Sequence, residues 1–127
     1  MKKWILLLLA ATAAIAFAEK TAYLQLGVLS GTGQTAAADL GYAAHKHTVQ
    51  VTTTGSPSSC SIQLEGTLDD IYAVSSPQWA NLSGSQTCTS NVTFHVADRP
   101  VRAVRANLTA LSGGSSPTVS AKYLGVQ

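Results

Sequence analysis

The sequence predicts an all-β protein: a single antiparallel β-sandwich, jelly-roll or immunoglobulin-like in type, with one disulfide. Three observations predict it. Short runs alternate apolar and polar residues with a period of two. The breaks between them are rich in Gly, Ser and Pro, and no long amphipathic helix occurs in the 127 residues.

The first segment stands apart from the fold. Met1-Lys2-Lys3 is basic, Trp4 to Phe17 is an almost unbroken apolar run, and Ala16-Phe17-Ala18 carries small residues where a signal peptidase requires them. This is the plan of a secretory signal over residues 1–18, with cleavage between Ala18 and Glu19. The run falls short of the ~20 apolar residues that span a bilayer. No cysteine stands directly after the cleavage site, so no lipid anchor is expected, and with so short a run no membrane anchor is expected after cleavage. The expectation is a secreted or periplasmic protein whose β-sandwich domain occupies residues 19–127.

The elements then follow in order. "YLQLGVLS" reads as a strand. "GQTAAADLGYAAHK", with Gly33, Gly41 and several alanines, reads as a loop or one short helical turn leading into a strand at His47. "HTVQVTTT" sets Val49, Val51 and Thr53 against Thr48, Gln50 and Thr52, and ends at the turn Thr54-Gly55-Ser56-Pro57. "SCSIQLEG" sets Cys60, Ile62 and Leu64 against Ser61, Gln63 and Glu65. "SNVTFHV" sets Val92, Phe94 and Val96 against Thr93 and His95. After a Gly-Gly-Ser-Ser-Pro turn, "PTVSAKYLG" sets Val119, Ala121 and Tyr123 against Ser120 and Lys122.

Between these lies "RPVRAVRANLTAL", where Arg99, Arg102 and Arg105 recur every three residues. A helix would align them into a basic stripe. Val101, Val104, Asn107 and Thr109 disfavour a helix, and a strand follows directly beyond the next turn. As a strand, the segment places Arg102, Val104, Ala106 and Leu108 on one face and Arg105, Asn107 and Thr109 on the other. The stripe dissolves, and Arg102 sits at the strand's entry with its head in water. Once Lys2 and Lys3 leave with the signal, Lys20, Lys46, Arg99, Arg102, Arg105 and Lys122 balance Glu19, Asp39, Glu65, Asp69, Asp70 and Asp98. A neutral chain without a basic patch or aromatic platform is not expected to bind nucleic acid.

Cys60 and Cys88 are the only cysteines. In an oxidising compartment an isolated pair reads most simply as one disulfide, and the close Cys-x-x-Cys spacing of a redox site is lacking. Such a closure limits the unfolded chain by about 3.5 kcal/mol in the entropic description.

Three constellations could carry chemistry. His45 and His47, at i and i+2 on a strand, would point the same way and could share a metal if a third ligand such as His95 arrived from another strand. The plainer reading is a pair of exposed polar residues at a strand entrance. Asp69, Asp70, Tyr72 and Trp79 form the second group, because aromatic faces beside carboxylates bind sugar rings on sandwich loops. The competing expectation is that Tyr72 and Trp79 plug the core, since so few aromatics are present. Third, Asp69 and Asp70 are adjacent and would point to opposite faces of a strand, unlike a glycosidase pair. No Gly-x-Ser-x-Gly elbow occurs, and Gly31-Thr32-Gly33 is too short for a phosphate loop. No enzymatic activity and no cofactor are expected.

"HTVQVTTTGSPSSCSIQLEGTLDD", then a Trp and "NL", then "RPVRAVRANLTALSGGSSPTVSAKYLG" resembles small β-sandwich proteins of bacteriophage and prophage structural gene modules. The likeness covers roughly residues 47–125, and its motifs are turns and strand pairings without catalytic residues. Asp69-Asp70 stands where that pattern has Asp-Gly, which implies a longer loop. The resemblance implies a non-enzymatic structural or interaction domain, cell-surface or virion-associated. Its partner would be a protein or glycan surface, and a homo-oligomer could form through sheet edges. Carbohydrate binding by the Asp69–Trp79 loop is the first alternative, and a metal-binding protein or enzyme using His45 and His47 the second. Mass spectrometry of the exported protein should find Glu19 as the first residue; a chain retaining Met1 would refute the cleavage.

Overall fold

The computed structural model describes residues 19–127, and the signal segment expected over residues 1–18 lies outside the described residues. The described chain forms ten strands: β1 (Thr21–Leu29), β2 (Gly33–Gln34), β3 (Ala38–Ala44), β4 (Lys46–Thr54), β5 (Ser59–Thr67), β6 (Ala80–Asn81), β7 (Gln86–Thr87), β8 (Val92–Val96), β9 (Val101–Ser112) and β10 (Thr118–Val126). They make two antiparallel sheets. One runs β1-β10-β4-β8; in the other β9 and β5 are central, with β2 and β3 beside β9 and with β6 and β7 beside β5. The expected sandwich with its disulfide is the fold observed.

Period-two patterning explains the core. Val49 and Val51 of β4, Ile62 and Leu64 of β5, Val104, Ala106 and Leu108 of β9, and Val119, Ala121 and Tyr123 of β10 are all buried between the sheets. Their alternates lie outside. β9 is a strand throughout, and its arginines are separated as the strand reading requires. Arg102 is 3.5 Å from Asp39 and 3.4 Å from Asp70, while Arg105 pairs with Glu65 at 2.7 Å on the other face.

One expectation is corrected. Residues 33–44 are neither a loop nor a helical turn but two short strands on the outer side of β9. The alanines favour a helix only weakly, and pairing with an open strand edge overrides that preference. The sequence signal is masked because the register breaks between Asp39 and Ala44, where Asp39 Oδ1 accepts the Gly41 N–H at 2.7 Å. Leu40 and Ala44 are buried nonetheless.

At one end the β4–β5 and β9–β10 crossovers interlock. Ser115 N–H donates to Gly55 O at 2.8 Å and Ser58 N–H to Ser112 O at 3.0 Å. Gly114 has φ +70°, and a Cβ there would strike the Gly55 carbonyl oxygen, so the Gly-Gly turn is required by this close approach. The disulfide joins Cys60 of β5 to Cys88, just beyond β7, with Cα atoms 4.9 Å apart. Cys88 N–H donates to Cys60 O at 3.0 Å, and its own carbonyl accepts Thr53 Oγ1–H of the opposite sheet at 2.7 Å. The bridge therefore anchors the strap that carries the chain from one sheet to the other. Cys60→Ser with Cys88→Ser is expected to lower unfolding free energy by about 3.5 kcal/mol in urea titrations; an unchanged midpoint would show that the strap is held without it.

Candidate functional site

The chain leaves the sheet after β5 and returns as β6, and residues 68–79 form a loop shaped by its two aspartates. Asp69 N–H donates to Thr67 Oγ1 at 3.0 Å, and Asp69 Oδ2 accepts the Gln78 N–H at 2.7 Å, closing the neck. Asp70 Oδ1 accepts the Tyr72 N–H at 3.0 Å, and its carbonyl accepts the N–H groups of Ala73 and Val74. These are Asx-type turns, in which a short carboxylate replaces a backbone acceptor. Both carboxylates thus build the loop.

The loop presents apolar side chains to water: Leu68 is 70 % exposed, Tyr72 84 % and Val74 39 %. Beside it lies a cleft of about 470 Å³, walled by Gly66, Leu68, Ala80, Leu82, Pro100 and Val101, with Asp69, Asp98 and Arg99 also lining it. Gly66 is a structural requirement, since a Cβ there would press on the side chains of Leu82 and Val101 at under 3 Å.

Trp79 does not share this cleft. Gln78, Ala80 and Leu82 line it, and strand alternation turns Trp79 and Asn81 to the opposite side. There the Arg105 guanidinium lies 4.2 Å from the centre of the Trp79 ring, a cation–π contact. Asn81 Nδ2–H donates to Gln63 Oε1, and Glu65 accepts from Gln63, Arg105 and Asn107 at 2.7–3.0 Å. Burial pushes the Glu65 carboxyl upward, but these hydrogen bonds and the Arg105 charge outweigh it and hold the group below its ordinary value. Asp69 and Trp79, expected to act together, stand on different sides of the loop.

The core-plug expectation for the aromatics is corrected. Tyr72 is exposed, and Trp79 is half-buried under Arg105. The space between the sheets is filled by Tyr123, Ile62, Leu64 and Leu108 instead, so the loop has no core of its own to fill.

The plainer reading of His45 and His47, a pair of exposed polar residues, holds for His45 and is corrected for His47. His45 lies between β3 and β4 and is exposed, while His47 begins the inward row of β4 and is 1 % exposed. Both nitrogens of His47 are engaged. The Arg99 carbonyl can only accept, so Nε2–H donates to it at 2.7 Å, and Nδ1 accepts the Tyr123 hydroxyl at 2.6 Å. No lone pair is left for a cation. His95 lies on the outer face, bonded to Thr48 Oγ1 at 2.9 Å. Among the described residues no group of three His, Cys, Asp or Glu side chains could hold a metal ion. The His47–Tyr123 pair was missed, although His47 continues the Val49, Val51 row; its signal was the same period of two.

These features define the class: a disulfide-pinned antiparallel β-sandwich. Its fold is similar to that of the SPBc2 prophage-derived protein YomS, with TM-score 0.58 and 13 % identity over 87 % of this chain and 96 % of that one. It is also similar to the PBSX exported protein XepA, with TM-score 0.55 and 17 % identity over 87 % of this chain and 39 % of XepA. The chain thus spans about two fifths of XepA. At these identities the likeness is one of fold, and it meets the expected resemblance to prophage β-sandwich proteins. No protein-family profile matches the sequence, and no curated protein matches it.

Burial lowers the His47 pKa and the nearby His45 adds to this, against the opposing bond to Arg99 O. An unfolded histidine titrates near 6.5. The unfolded chain therefore takes up a proton first, so His47 supports the fold fully above that value and progressively less as the pH falls through it. Thermal unfolding from pH 8 to pH 5 should show a melting temperature that drops below about pH 6.5. His47→Gln should flatten that slope, whatever it costs at pH 8; a slope unchanged in the variant would assign it elsewhere.

Proposed function

We propose that the protein is an exported, non-enzymatic contact domain of phage-derived type, docking a protein partner through the 68–79 loop and the cleft beside it. One observation carries this reading: the loop holds Leu68, Tyr72 and Val74 in water while its carboxylates are occupied in its own turns. Exposed aromatic and aliphatic side chains around an apolar cleft are the composition of an interface core. The Asp70–Arg102 pair and the neck at Asp69 hold the loop in shape before binding, which limits the ordering cost of association. Export is supported by the N-terminal signal pattern and the Cys60–Cys88 bridge; the description of XepA as exported belongs to that protein and agrees with it.

A carbohydrate partner is less well served. A sugar platform needs an open aromatic face with carboxylates around it, whereas Trp79 carries Arg105 on its ring and Asp69 opens into the other side.

The test places a photo-crosslinking amino acid at Tyr72 and, as control, at the exposed Thr109 of β9, in protein exported by its native host. A discrete protein adduct from position 72 and none from position 109 supports docking. Equal labelling at both positions, or no protein adduct at 72, overturns it. Glycan-array binding that disappears in Trp79→Ala, with circular dichroism unchanged, would replace it with the carbohydrate reading.

A further inference from the structure

β1 is an outer strand, hydrogen-bonded only to β10 within its sheet. Its first half, Thr21 to Gln25, pairs in unbroken register with Val126 to Lys122, before an irregularity at Leu26. Gln127 N–H donates to the Lys20 carbonyl at 2.9 Å, so Lys20 turns its backbone groups toward β10. By the alternation of an antiparallel ladder, Ala22 and Leu24 do the same, while Thr21, Tyr23 and Gln25 turn theirs outward. All three are exposed, Tyr23 at 69 %.

An open row of N–H and C=O groups is a template for another strand, and folded proteins guard such edges. The other edges among the described residues are shorter or irregular. β6 and β7 have two residues each, β2 and β3 are interrupted and irregular between Asp39 and Ala44, and β8 has five residues. β1 has nine, with no charge and no proline from Thr21 to Leu29.

The geometry points to a second copy of this chain as the occupant, joined antiparallel through β1 about a two-fold axis at Tyr23. The row is its own complement. Tyr23 faces Tyr23 of the second copy and exchanges both N–H···O bonds with it, while Thr21 faces Gln25 and Gln25 faces Thr21. With no charge in the strand, no like charges meet at the axis. Ala22 and Leu24, partly buried against the core, cover one another across the junction. On the outer face the two tyrosines adjoin Leu124, itself 38 % exposed and in register with Tyr23. The interface is isologous and closed, and the four-stranded sheet continues across it. A contact of five paired residues from each copy is small beside standard interfaces, so the dimer is in equilibrium with monomer. It shares no residue with the 68–79 loop or its cleft, so either proposal can fail without the other.

The test uses protein purified after export with its disulfide intact. Sedimentation velocity from micromolar to millimolar concentration should show a monomer–dimer equilibrium. Tyr23→Lys, which opposes two ammonium groups at the axis, should weaken it by about tenfold or more without altering the circular dichroism. Directly opposed residues of a hydrogen-bonded pair have Cα atoms about 5.5 Å apart, within disulfide reach. Mild oxidation should therefore link Tyr23→Cys into a dimer, whereas Val28→Cys, exposed in the same strand beyond the irregularity, should stay unlinked. A wild-type monomer at every concentration overturns the inference. So does a dimer untouched by Tyr23→Lys, or equal linking at positions 23 and 28.

Discussion

The pairing of β5 with β9 is the constraint on which the rest of the structure depends. The ladder runs from Ser59↔Ser112 to Thr67↔Ala103, and β9 also carries β2 and β3 on its far side. Its inner face supplies Ile62, Leu64, Val104, Ala106 and Leu108 to the core. Its outer face places Glu65 opposite Arg105 and Gln63 opposite Asn107, so that the half-buried ion pair is satisfied on every side. A one-residue slip would invert both faces at once, exposing the aliphatics and burying the charges. Register is therefore held from two directions, by apolar burial within and by charge pairing without.

The two ends of this ladder are built differently. At one end, the Gly55 and Gly114 turns lock the crossovers into a compact knot of backbone hydrogen bonds. At the other, β5 releases the chain into the 68–79 loop, and Arg102 at the start of β9 reaches Asp70 to steady it. The cleft sits between that loop and the segment entering β9. Its far wall is held by the buried His47, whose Nε2–H binds the Arg99 carbonyl, while Arg99 N–H returns to the His45 carbonyl at 3.3 Å. A histidine that looked like a metal ligand thus serves as a backbone clamp. Desolvation is the reason: a fully buried imidazole with two partners is stable as the neutral tautomer and has no free lone pair.

Much of the fold was legible because alternation reports burial directly. Val49 and Val51, Ile62 and Leu64, and Val119, Ala121 and Tyr123 could be assigned to one face without knowing their neighbours. The disulfide was legible from arithmetic, because the chain has two cysteines and no others. Residues 33–44 were not. Their strand character comes from the free side of β9, a partner 57 to 75 residues distant in the chain, and short irregular edge strands leave a weak local trace. The site was legible in outline only. Asp69, Asp70, Tyr72 and Trp79 do fall in one loop, but which of them share a surface depends on the turn geometry that Asp69 and Asp70 create.

By itself the sequence determined the all-β class, the faces of the long strands and the cysteine pair. Each of these rests on local periodicity or composition, which a chain carries without reference to its partners. Tertiary structure alone decided that Trp79 lies under Arg105, that His47 is sealed between Tyr123 and Arg99, and that β1 ends the sheet with an open row of backbone groups. Those are contacts between residues far apart in the chain. Their free energy comes from burial and pairing across sheets, which no local pattern encodes.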